Sequence, residues 1–297
     1  MKSIDDIKTV MVAGAGTLGM RIALRCALDG FKVKMFDISD QQLNVAQEMQ
    51  AKLTRSFLKN GKITQQQADL VAANLVVTSD IDDAVKGVDL ISESVVENID
   101  SKKAFYADLT PRLQKGVIVT TNTSYLLPSA LLGSIQQPEL FCALHFHDVF
   151  NQVVVDVMPH PGTDQAVIDL LMEFGKRINQ IPVFVQKENS GYMFNAMLMS
   201  ILGEASDLFA NAVGSFQDID RSFMGNFGTT AGPFGMMDQV GLETVWNIVS
   251  AQSDQRSKVF AGIIKSYIDQ GKLGYKSGQG FYTYPGPEYA QPEFLKP

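Results

Sequence analysis

The stretch V-M-V-A-G-A-G-T-L-G, residues 10–19, decides the fold of this chain. It begins in an apolar run that predicts a short buried strand, and its glycines introduce a helix. Gly14 allows a tight turn, Gly16 lets the backbone approach a pyrophosphate, and Gly19 lets the helix lie against the sheet. Free N–H groups at the start of the helix would then face the two phosphates. The pattern predicts dinucleotide-binding positions at Gly14, Gly16, Thr17, Leu18 and Gly19.

An acid at the end of the next apolar run strengthens this prediction. The run K-V-K-M-F-D, residues 32–37, ends on Asp37. A carboxylate there accepts hydrogen bonds from ribose hydroxyls and would repel a 2′-phosphate, and no Arg follows at positions 38–40 to bind one. Because Ser39 and Asp40 are better placed to cap the next helix, the capping alternative for Asp37 is the weaker one. The predicted cofactor is therefore NAD.

The composition restricts the class of protein. A chain of 297 residues has room for two domains, and its hydrophobic fraction of 45% is typical of a soluble protein. The net charge of −7 argues against nucleic acid or an anionic membrane as a partner. We see neither a signal peptide in the polar Met1–Lys8 nor an apolar stretch that could span a membrane. Cys26 and Cys142 lack metal-ligand neighbours, so we expect no metal and a cytoplasmic location.

Short apolar runs separated by helical patterns predict an α/β fold with a Rossmann-type doubly wound, mostly parallel sheet. With right-handed crossovers, every strand would end along one edge of the sheet, where ligands bind. The predicted strands are Thr9–Ala13, Lys32–Asp37, Leu75–Thr78, Val88–Ser92, Val117–Thr121, Leu140–Phe146, Val153–Met158 and Pro182–Gln186.

Two further regions complete the predicted organisation. Residues 41–73 are polar with apolar residues at helical spacing and a break at Asn60-Gly61, which predicts a helical hairpin projecting from the first domain, residues 1–186. Residues 187–297 predict an all-helical second domain, and Tyr192–Ala212 is apolar on most faces, which favours burial or a homodimer interface. The other helices predicted there are Phe216–Met224, Gly241–Ser250 and Ser253–Gln270.

Polar residues near predicted strand ends suggest the chemistry. His145 closes the strand L-H-F, and an imidazole that titrates near neutrality suits removal of a hydroxyl proton. Asp156 on the next strand is the best candidate to hold its tautomer. A structural, hydrogen-bonded His145 is an equally good interpretation on sequence alone, and His147 on the same strand face could take its role. His160, within P-H-P-G, looks like a turn residue.

Ser124 and Asn195 are weaker candidates by themselves. Ser124 follows an apolar strand in T-N-T-S and could equally start a turn or cap a helix over Pro128–Leu132. Asn195 is an amide in an otherwise apolar helix, where it needs a partner that a substrate carbonyl would provide. Such donors could stabilise a developing alkoxide.

Together these motifs resemble the 3-hydroxyacyl-CoA dehydrogenase family over nearly the whole chain. The resemblance implies an N-terminal NAD domain, a helical dimerisation domain and a cleft between them. It implies His145 as the base, Ser124 and Asn195 on the substrate oxygens, and Glu97 and Lys102 near the nicotinamide, with Asn122 also assigned to the cofactor. The motifs that carry it are G-A-G-T-L-G (14–19), V-V-E-N (95–98) with Lys102, T-N-T-S (121–124), A-L-H-F (143–146), G-Y-M-F-N (191–195), G-P-F-G-M-M-D-Q-V-G-L-E-T (232–244) and G-Y-K-S-G-Q-G-F-Y-T-Y (274–284).

Departures from the family pattern point to a side branch. L-H-F-H-D-V-F stands where the family usually has L-H-F-F-N-P, and Asp156 replaces a Glu, so its contact with His145 is expected to need a backbone shift or a water. Leu53 and Asn60 occupy the hairpin positions where the family has a CoA-binding serine and lysine, although Lys52, Arg55, Lys59 and Lys62 are close by. Ala196 replaces an Arg, and Ser190 replaces a Pro. The pattern is similar to diketoreductase-like enzymes that act on CoA-free acids.

The main prediction is an NAD-dependent dehydrogenase that interconverts (S)-3-hydroxyacyl-CoA and 3-oxoacyl-CoA. A second hypothesis keeps the chemistry but replaces the thioester with a CoA-free 3-hydroxy or 3-keto acid or ester. A third, from another class, is a dinucleotide-binding protein without catalytic activity. The altered segment after His145 is its only support.

Overall fold

A computed structural model of the chain describes residues 3–250 and 255–296. It forms two compact units, Met1–Met193 and Phe194–Pro297. Within the described ranges, no helix combines the length and apolar character that crossing a membrane requires. Cys26 and Cys142 are both buried with free thiols.

The first unit is built on an eight-stranded sheet with the order β3-β2-β1-β4-β5-β6-β7-β8. Neighbouring strands are parallel from β3 to β6, which confirms the Rossmann-type arrangement. The central strands are buried on both faces, as parallel strands covered by helices must be. The strands are β1 (Thr9–Ala13), β2 (Lys32–Phe36), β3 (Leu75–Thr78), β4 (Leu90–Glu93), β5 (Ile118–Thr121), β6 (Phe141–Phe146), β7 (Val154–Pro159) and β8 (Ile181–Phe184).

The last two strands run in the opposite direction. β7 pairs antiparallel with β6, and β8 is parallel to β7. The expectation that every strand ends along one edge is therefore wrong for β7 and β8. The physical reason is the connection: residues 147–153 are too few for a crossover, which needs a dozen or more residues, so the chain turns back on itself.

The described residues of the first unit form six α-helices, and local signals explain where two of them begin. The Ser39 hydroxyl caps α2 by accepting a hydrogen bond from the Gln42 amide, so Asp37 does not serve as that cap. Thr64 and Gln67 form a capping box at the start of α3. The helices are α1 (Thr17–Leu28), α2 (Asp40–Lys59), α3 (Gln65–Asn74), α4 (Ile81–Ala84), α5 (Ile99–Leu109) and α6 (Gln165–Arg177).

The helices α2 and α3 form the predicted hairpin, with the break where the sequence placed it. α2 ends at Lys59, and Gly61 adopts a left-handed conformation with φ of +66°. The hairpin packs apolar residues against Leu24 and Leu28 of α1; among them are Leu53, Phe57 and Val71. It is therefore anchored to the core of the unit through α1.

The second unit is helical, and the sequence analysis missed one of its helices. The predicted start of its first helix at Tyr192 is wrong, because α7 begins at Phe194. The missed helix α9 begins with Pro233 after Gly232, the combination that favours a helix start. Positions 253 and 254 of the predicted Ser253–Gln270 helix lie outside the described residues. The helices are α7 (Phe194–Ala210), α8 (Phe216–Phe227), α9 (Pro233–Val240), α10 (Leu242–Ser250) and α11 (Gln255–Asp269).

Two buried carboxylates organise the second unit. Asp220 of α8 accepts hydrogen bonds from the amides of Phe234 and Gly235 at the start of α9. Asp238 of α9 accepts from the amides of Phe281 and Tyr282. Burial raises the pKa of Asp220 to about 6, despite these hydrogen bonds. The motifs around positions 232–244 and 274–284 therefore serve to pack this unit.

The turn after β1 depends on the absence of a side chain at Gly14. This residue has φ of +101°, and a Cβ built on it would lie 2.4 Å from the carbonyl oxygen of Ser94. We expect Gly14→Ala to lower the free energy of unfolding by about 3 kcal/mol, because backbone strain and a clash with the Ser94 backbone act together. A urea titration followed by circular dichroism measures this change.

Gly133→Ala is the matched control. Gly133 is exposed, and a Cβ there would have no neighbour within 4 Å. Its free energy of unfolding should stay within about 0.5 kcal/mol of the parent value. Equal unfolding midpoints for the two variants would contradict the role assigned to Gly14.

Candidate active site

The glycine turn leaves room for a dinucleotide. A Cβ on Gly19 would lie 2.0 Å from the carbonyl oxygen of Gly14, whereas a Cβ on Gly16 would have no neighbour within 4 Å. Gly16 stands immediately before α1 and makes no side-chain cap, so space remains in front of the helix start. The Asp37 carboxylate accepts hydrogen bonds from the amides of Ala15 (2.8 Å) and Ser39 (3.0 Å). These residues fit a pyrophosphate at the helix start and a ribose near Asp37.

The residue after β4 connects this turn to the T-N-T-S segment. Ser94, whose backbone packs on Gly14, accepts a hydrogen bond at Oγ from the Asn122 amide group at 3.2 Å. The Asn122 oxygen accepts from the amide of Phe146 at 2.9 Å. Asn122 thus links the ends of β4, β5 and β6, and it holds the predicted cofactor and catalytic segments side by side.

Glu97 and Lys102 form a second connection to the T-N-T-S segment. This connection includes Glu93, a residue that the sequence patterns did not point out. Glu97 accepts hydrogen bonds from the amides of Ser124 (2.9 Å) and Tyr125 (3.2 Å). Lys102 is fully buried and pairs with Glu93 at 2.6 Å and with Glu97 at 3.5 Å. Its ammonium group is therefore already paired with two carboxylates within the unit.

Glu93, the missed residue, is the fully buried last residue of β4. Its carboxylate also accepts hydrogen bonds from the Tyr106 hydroxyl at 2.8 Å and the Thr121 hydroxyl at 2.7 Å. A charged residue at the end of the apolar run L-I-S-E was the available signal, because a carboxylate in such a strand needs partners. The Glu93 cluster fixes the ends of β4 and β5 beside α5.

Three of the predicted catalytic residues meet at the end of β6. The Ser124 hydroxyl lies 3.2 Å from His145 Nε2, and His145 Nδ1 lies 3.1 Å from an Asp156 carboxylate oxygen. His145 and Asp156 face each other directly in the β6–β7 register. The shorter Asp side chain therefore reaches the imidazole without an intervening water. Ser124 does not cap the short helix that follows, which is a 3₁₀ helix over Pro128–Ser134 with Leu127 in the cap position.

His145 and Asp156 are both removed from water. His145 is 3% exposed and Asp156 is 1% exposed. Burial lowers the pKa of His145 below its usual value, although the hydrogen bond to Asp156 acts in the opposite direction. Burial alone would raise the pKa of Asp156, but hydrogen bonds from two histidines outweigh it and leave the pKa below its usual value. Asp156 is therefore an ionised acceptor that selects the Nδ1–H tautomer of His145.

His147 is the second of those histidines. Its Nε2 lies 3.1 Å from the same Asp156 oxygen that His145 contacts. The two imidazoles differ in their polar neighbours, because the Ser124 hydroxyl contacts the ring of His145. His160 instead contacts the carbonyl oxygen of Pro138 and the amide of Gly162, as expected for a turn residue.

Tyr192 is a further residue of the site that the sequence analysis did not identify. Its ring stacks on the imidazole of His145, with centroids 4.5 Å apart and planes 16° apart. Its hydroxyl donates to the carbonyl oxygen of Thr123 at 2.8 Å, and its φ is +54°. Gly191, which precedes Tyr192, was the local signal that α7 begins only after Tyr192. Asn195 belongs to the second unit, where it lies partly exposed in the first turn of α7.

Family models match nearly all of the chain. The NAD-binding domain of 3-hydroxyacyl-CoA dehydrogenase matches residues 9–189, and the C-terminal domain of the same family matches residues 191–284. This chain belongs to the 3-hydroxyacyl-CoA dehydrogenase family. Members of this family are NAD-dependent oxidoreductases that act on small hydroxyacyl substrates, so the predicted cofactor is confirmed.

Individual relatives agree with the family assignment. A probable 3-hydroxyacyl-CoA dehydrogenase of Caenorhabditis elegans is 30% identical over 95% of this chain and 94% of its own length. A solved diketoreductase structure, described as acting on dicarbonyl compounds, is 34% identical and covers 96% of this chain and 100% of its own, with a TM-score of 0.90. An (S)-3-hydroxybutyryl-CoA dehydrogenase from Ralstonia eutropha is 26% identical, covers 94% and 99%, and has a TM-score of 0.85.

Removing one partner of the buried Glu93–Lys102 pair should destabilise the fold strongly. Glu93→Gln leaves the buried ammonium group with less compensation, so we expect the free energy of unfolding to fall by about 3–5 kcal/mol. The double variant Glu93→Gln/Lys102→Met should lose clearly less than the sum of the two single variants. Chemical denaturation of the three variants measures both effects.

Glu173→Gln is the matched control, because Glu173 pairs with Lys176 at the same distance, 2.6 Å, with both side chains exposed. Its effect should not exceed about 1 kcal/mol. Similar losses in Glu93→Gln and Glu173→Gln, or strict additivity in the double variant, would argue against a buried pair.

Proposed function

We propose that the chain interconverts (S)-3-hydroxyacyl-CoA and 3-oxoacyl-CoA, with His145 as the general base. The observation that carries this proposal is the chain of contacts from Ser124 to His145 to Asp156 at the end of β6. The glycine turn lies in the same unit and is joined to the Ser124 segment through Ser94 and Asn122.

Each side chain then has a definite task in oxidation. Asp156 accepts the Nδ1–H of His145, so the lone pair on Nε2 points toward Ser124 and takes the proton of the substrate hydroxyl. The Ser124 hydroxyl positions the substrate oxygen as it becomes a carbonyl oxygen. The imidazolium that forms is stabilised by the Asp156 carboxylate. When bound, NAD would serve as the hydride acceptor for oxidation at C3, and NADH would serve as the hydride donor for reduction.

Tyr192 supports this arrangement from the side. By covering one face of the His145 ring it keeps water away and restricts rotation of the imidazole. Its own position is fixed by the hydrogen bond to Thr123. We assign Tyr192 a positioning role.

Two parts of the proposal concern the second unit. We propose that Asn195 donates its amide to a substrate oxygen, as the family resemblance implies. We also propose a homodimer, because α7 exposes a row of apolar side chains that another copy could cover. The exposed residues are Phe194 (45%), Met197 (60%) and Ile201 (39%).

A CoA-free 3-keto acid or ester is the second candidate substrate. Leu53 stands where the family has its CoA-binding serine. It has no polar group to offer CoA, and its side chain packs against the core instead. Asn60, which ends α2, replaces the lysine. The similarity to a diketoreductase supports the same alternative. Exposed cations on the hairpin favour CoA instead; they are Lys52, Arg55, Lys59 and Lys62.

A substrate panel followed at the NADH absorbance band tests the proposed function. We expect NADH oxidation with acetoacetyl-CoA, and we expect His145→Gln to lower kcat by roughly 10²–10⁴-fold with little change in NADH affinity, because the base is lost and the cofactor site is not. His160→Gln is the control histidine variant and should keep its activity.

The other arm of the panel is an acetoacetate ester. A preference for the ester over the thioester would favour the CoA-free candidate. Normal turnover by His145→Gln would remove His145 from the mechanism, and NADH binding without turnover on any substrate would support a non-catalytic protein.

The pH dependence of the two directions should be opposite. Because the pKa of His145 lies below its usual 6.5, kcat/KM for oxidation should be constant above neutral pH and fall as pH decreases through that pKa. Reduction needs the imidazolium and should fall as pH increases through the same pKa.

Asp156→Asn tests the cause of this behaviour. It removes the hydrogen bond and the charge that favour the imidazolium, so the oxidation profile should move to lower pH. The variant should also lose roughly 10²–10⁴-fold in kcat, because Asn no longer selects the Nδ1–H tautomer. An unchanged pH profile would mean that Asp156 does not govern His145.

A further inference from the structure

Asp156 is held by two imidazoles, and the proposed reaction uses only one of them. His145 Nδ1 and His147 Nε2 each lie 3.1 Å from the same carboxylate oxygen. His145 lies in β6 and His147 is the first residue after that strand, and the centroids of their rings are 4.6 Å apart. Asp156 faces them from the antiparallel neighbour β7. The end of β6 and the neighbouring β7 therefore bring three potential metal ligands together.

The geometry of these atoms suits a small cation. His145 Nδ1, His147 Nε2 and the Asp156 oxygen all lie within 4.8 Å of one another. A tetrahedral zinc ion about 2.1 Å from each ligand would keep the ligand atoms about 3.4 Å apart, which is close to the 3.1 Å that now separates each nitrogen from the carboxylate oxygen. Two imidazoles and one carboxylate favour Zn²⁺ and similar transition metals, whereas Mg²⁺ and Ca²⁺ prefer oxygen ligands.

We propose that His145, His147 and Asp156 form a binding site for Zn²⁺ or a chemically similar divalent cation, and that its occupation reversibly inhibits the enzyme. The side chain of His147 is 9% exposed, compared with 4% for His145 and 2% for Asp156, so His147 is the ligand nearest to solvent. The fourth zinc ligand would be water, as in other three-ligand zinc sites.

Inhibition follows from the tautomer of His145 and rests on the proposed function. Coordination needs the lone pair of His145 Nδ1, so the single proton of this neutral imidazole moves to Nε2, and His147 likewise carries its proton on Nδ1 so that its Nε2 can bind the metal. No proton is gained or lost by either ring in this exchange. His145 Nε2 then donates to the Ser124 hydroxyl, 3.2 Å away. It has no lone pair left for the proton of a substrate hydroxyl, so the metal-bound enzyme lacks its base.

Direct metal binding is the first test, and it does not depend on activity. The full chain, freed of metal with EDTA, is titrated with Co²⁺ while visible d–d absorption is recorded. We expect a 1:1 complex that Zn²⁺ displaces and Mg²⁺ does not. His147→Phe and His147→Gln each remove one ligand and should weaken binding at least roughly tenfold. His160→Gln leaves the cluster intact and should bind as the parent does.

The second test is inhibition of turnover. Zn²⁺ in slight excess over the parent enzyme should abolish most of the NADH-linked activity, and EDTA should restore it. The residual activity of His147→Gln should be at least roughly tenfold less sensitive to Zn²⁺. Circular dichroism of the metal-free variants shows which of the two His147 variants is folded, and the folded variant decides the comparison.

The outcomes separate this proposal from the proposed function. Equal Co²⁺ affinity in the parent and a folded His147 variant, or no 1:1 complex, would overturn the metal site while leaving the dehydrogenase assignment intact. Binding at the cluster without loss of turnover would overturn the inhibition. Binding to a chain that turns over no substrate would preserve the site and refute the proposed function instead.

Discussion

The arrangement of the site depends on one contact, the hydrogen bond between the Asp156 carboxylate and His145. A carboxylate that is 1% exposed is costly to bury unless donors surround it. The reversal between β6 and β7 brings Asp156 opposite His145, so the donors are available without distortion of the sheet. The same contact selects the imidazole tautomer, directs Nε2 toward Ser124 and leaves room for His147 on the same oxygen. The geometry of the site, the protonation of His145 and the proposed metal affinity of the cluster therefore all depend on this contact.

Buried carboxylates have a similar structural use elsewhere in the chain. Glu93 joins β4, β5 and α5 by accepting hydrogen bonds from Lys102 and two hydroxyl groups. In the second unit, Asp220 and Asp238 accept backbone amide hydrogen bonds that attach α9 and the segment at 281–284 to the helices. Each acid satisfies several donors that would otherwise be buried without partners, and this requirement restricts how the surrounding elements can pack.

Local patterns in the sequence were sufficient for much of the fold. Strand β1 and the turn at Gly14 depend on residues close together in the chain, and the structure has them where the sequence predicted them. Of the two caps that the sequence suggested for α2, Ser39 and Asp40, the structure has Ser39. The start of α7 was misplaced because Tyr192 is an aromatic residue at helical spacing, yet its ring packs on His145 instead of continuing the helix. Helix α9 was missed because it is short and its N-terminus is held by Asp220, a residue from the preceding helix.

The sequence by itself determined the dinucleotide-binding turn, the succession of strands in the first unit, and the family, because glycines, apolar periodicity and ordered motifs act over short distances along the chain. Only the tertiary structure decided the direction of β7, the direct reach of Asp156 to His145, the burial of Lys102 against Glu93 and the sharing of one carboxylate oxygen by two histidines. These features join residues that are distant in sequence. They arise because each buried charge needs partners, and no local sequence pattern indicates which distant residues will lie close enough to be those partners.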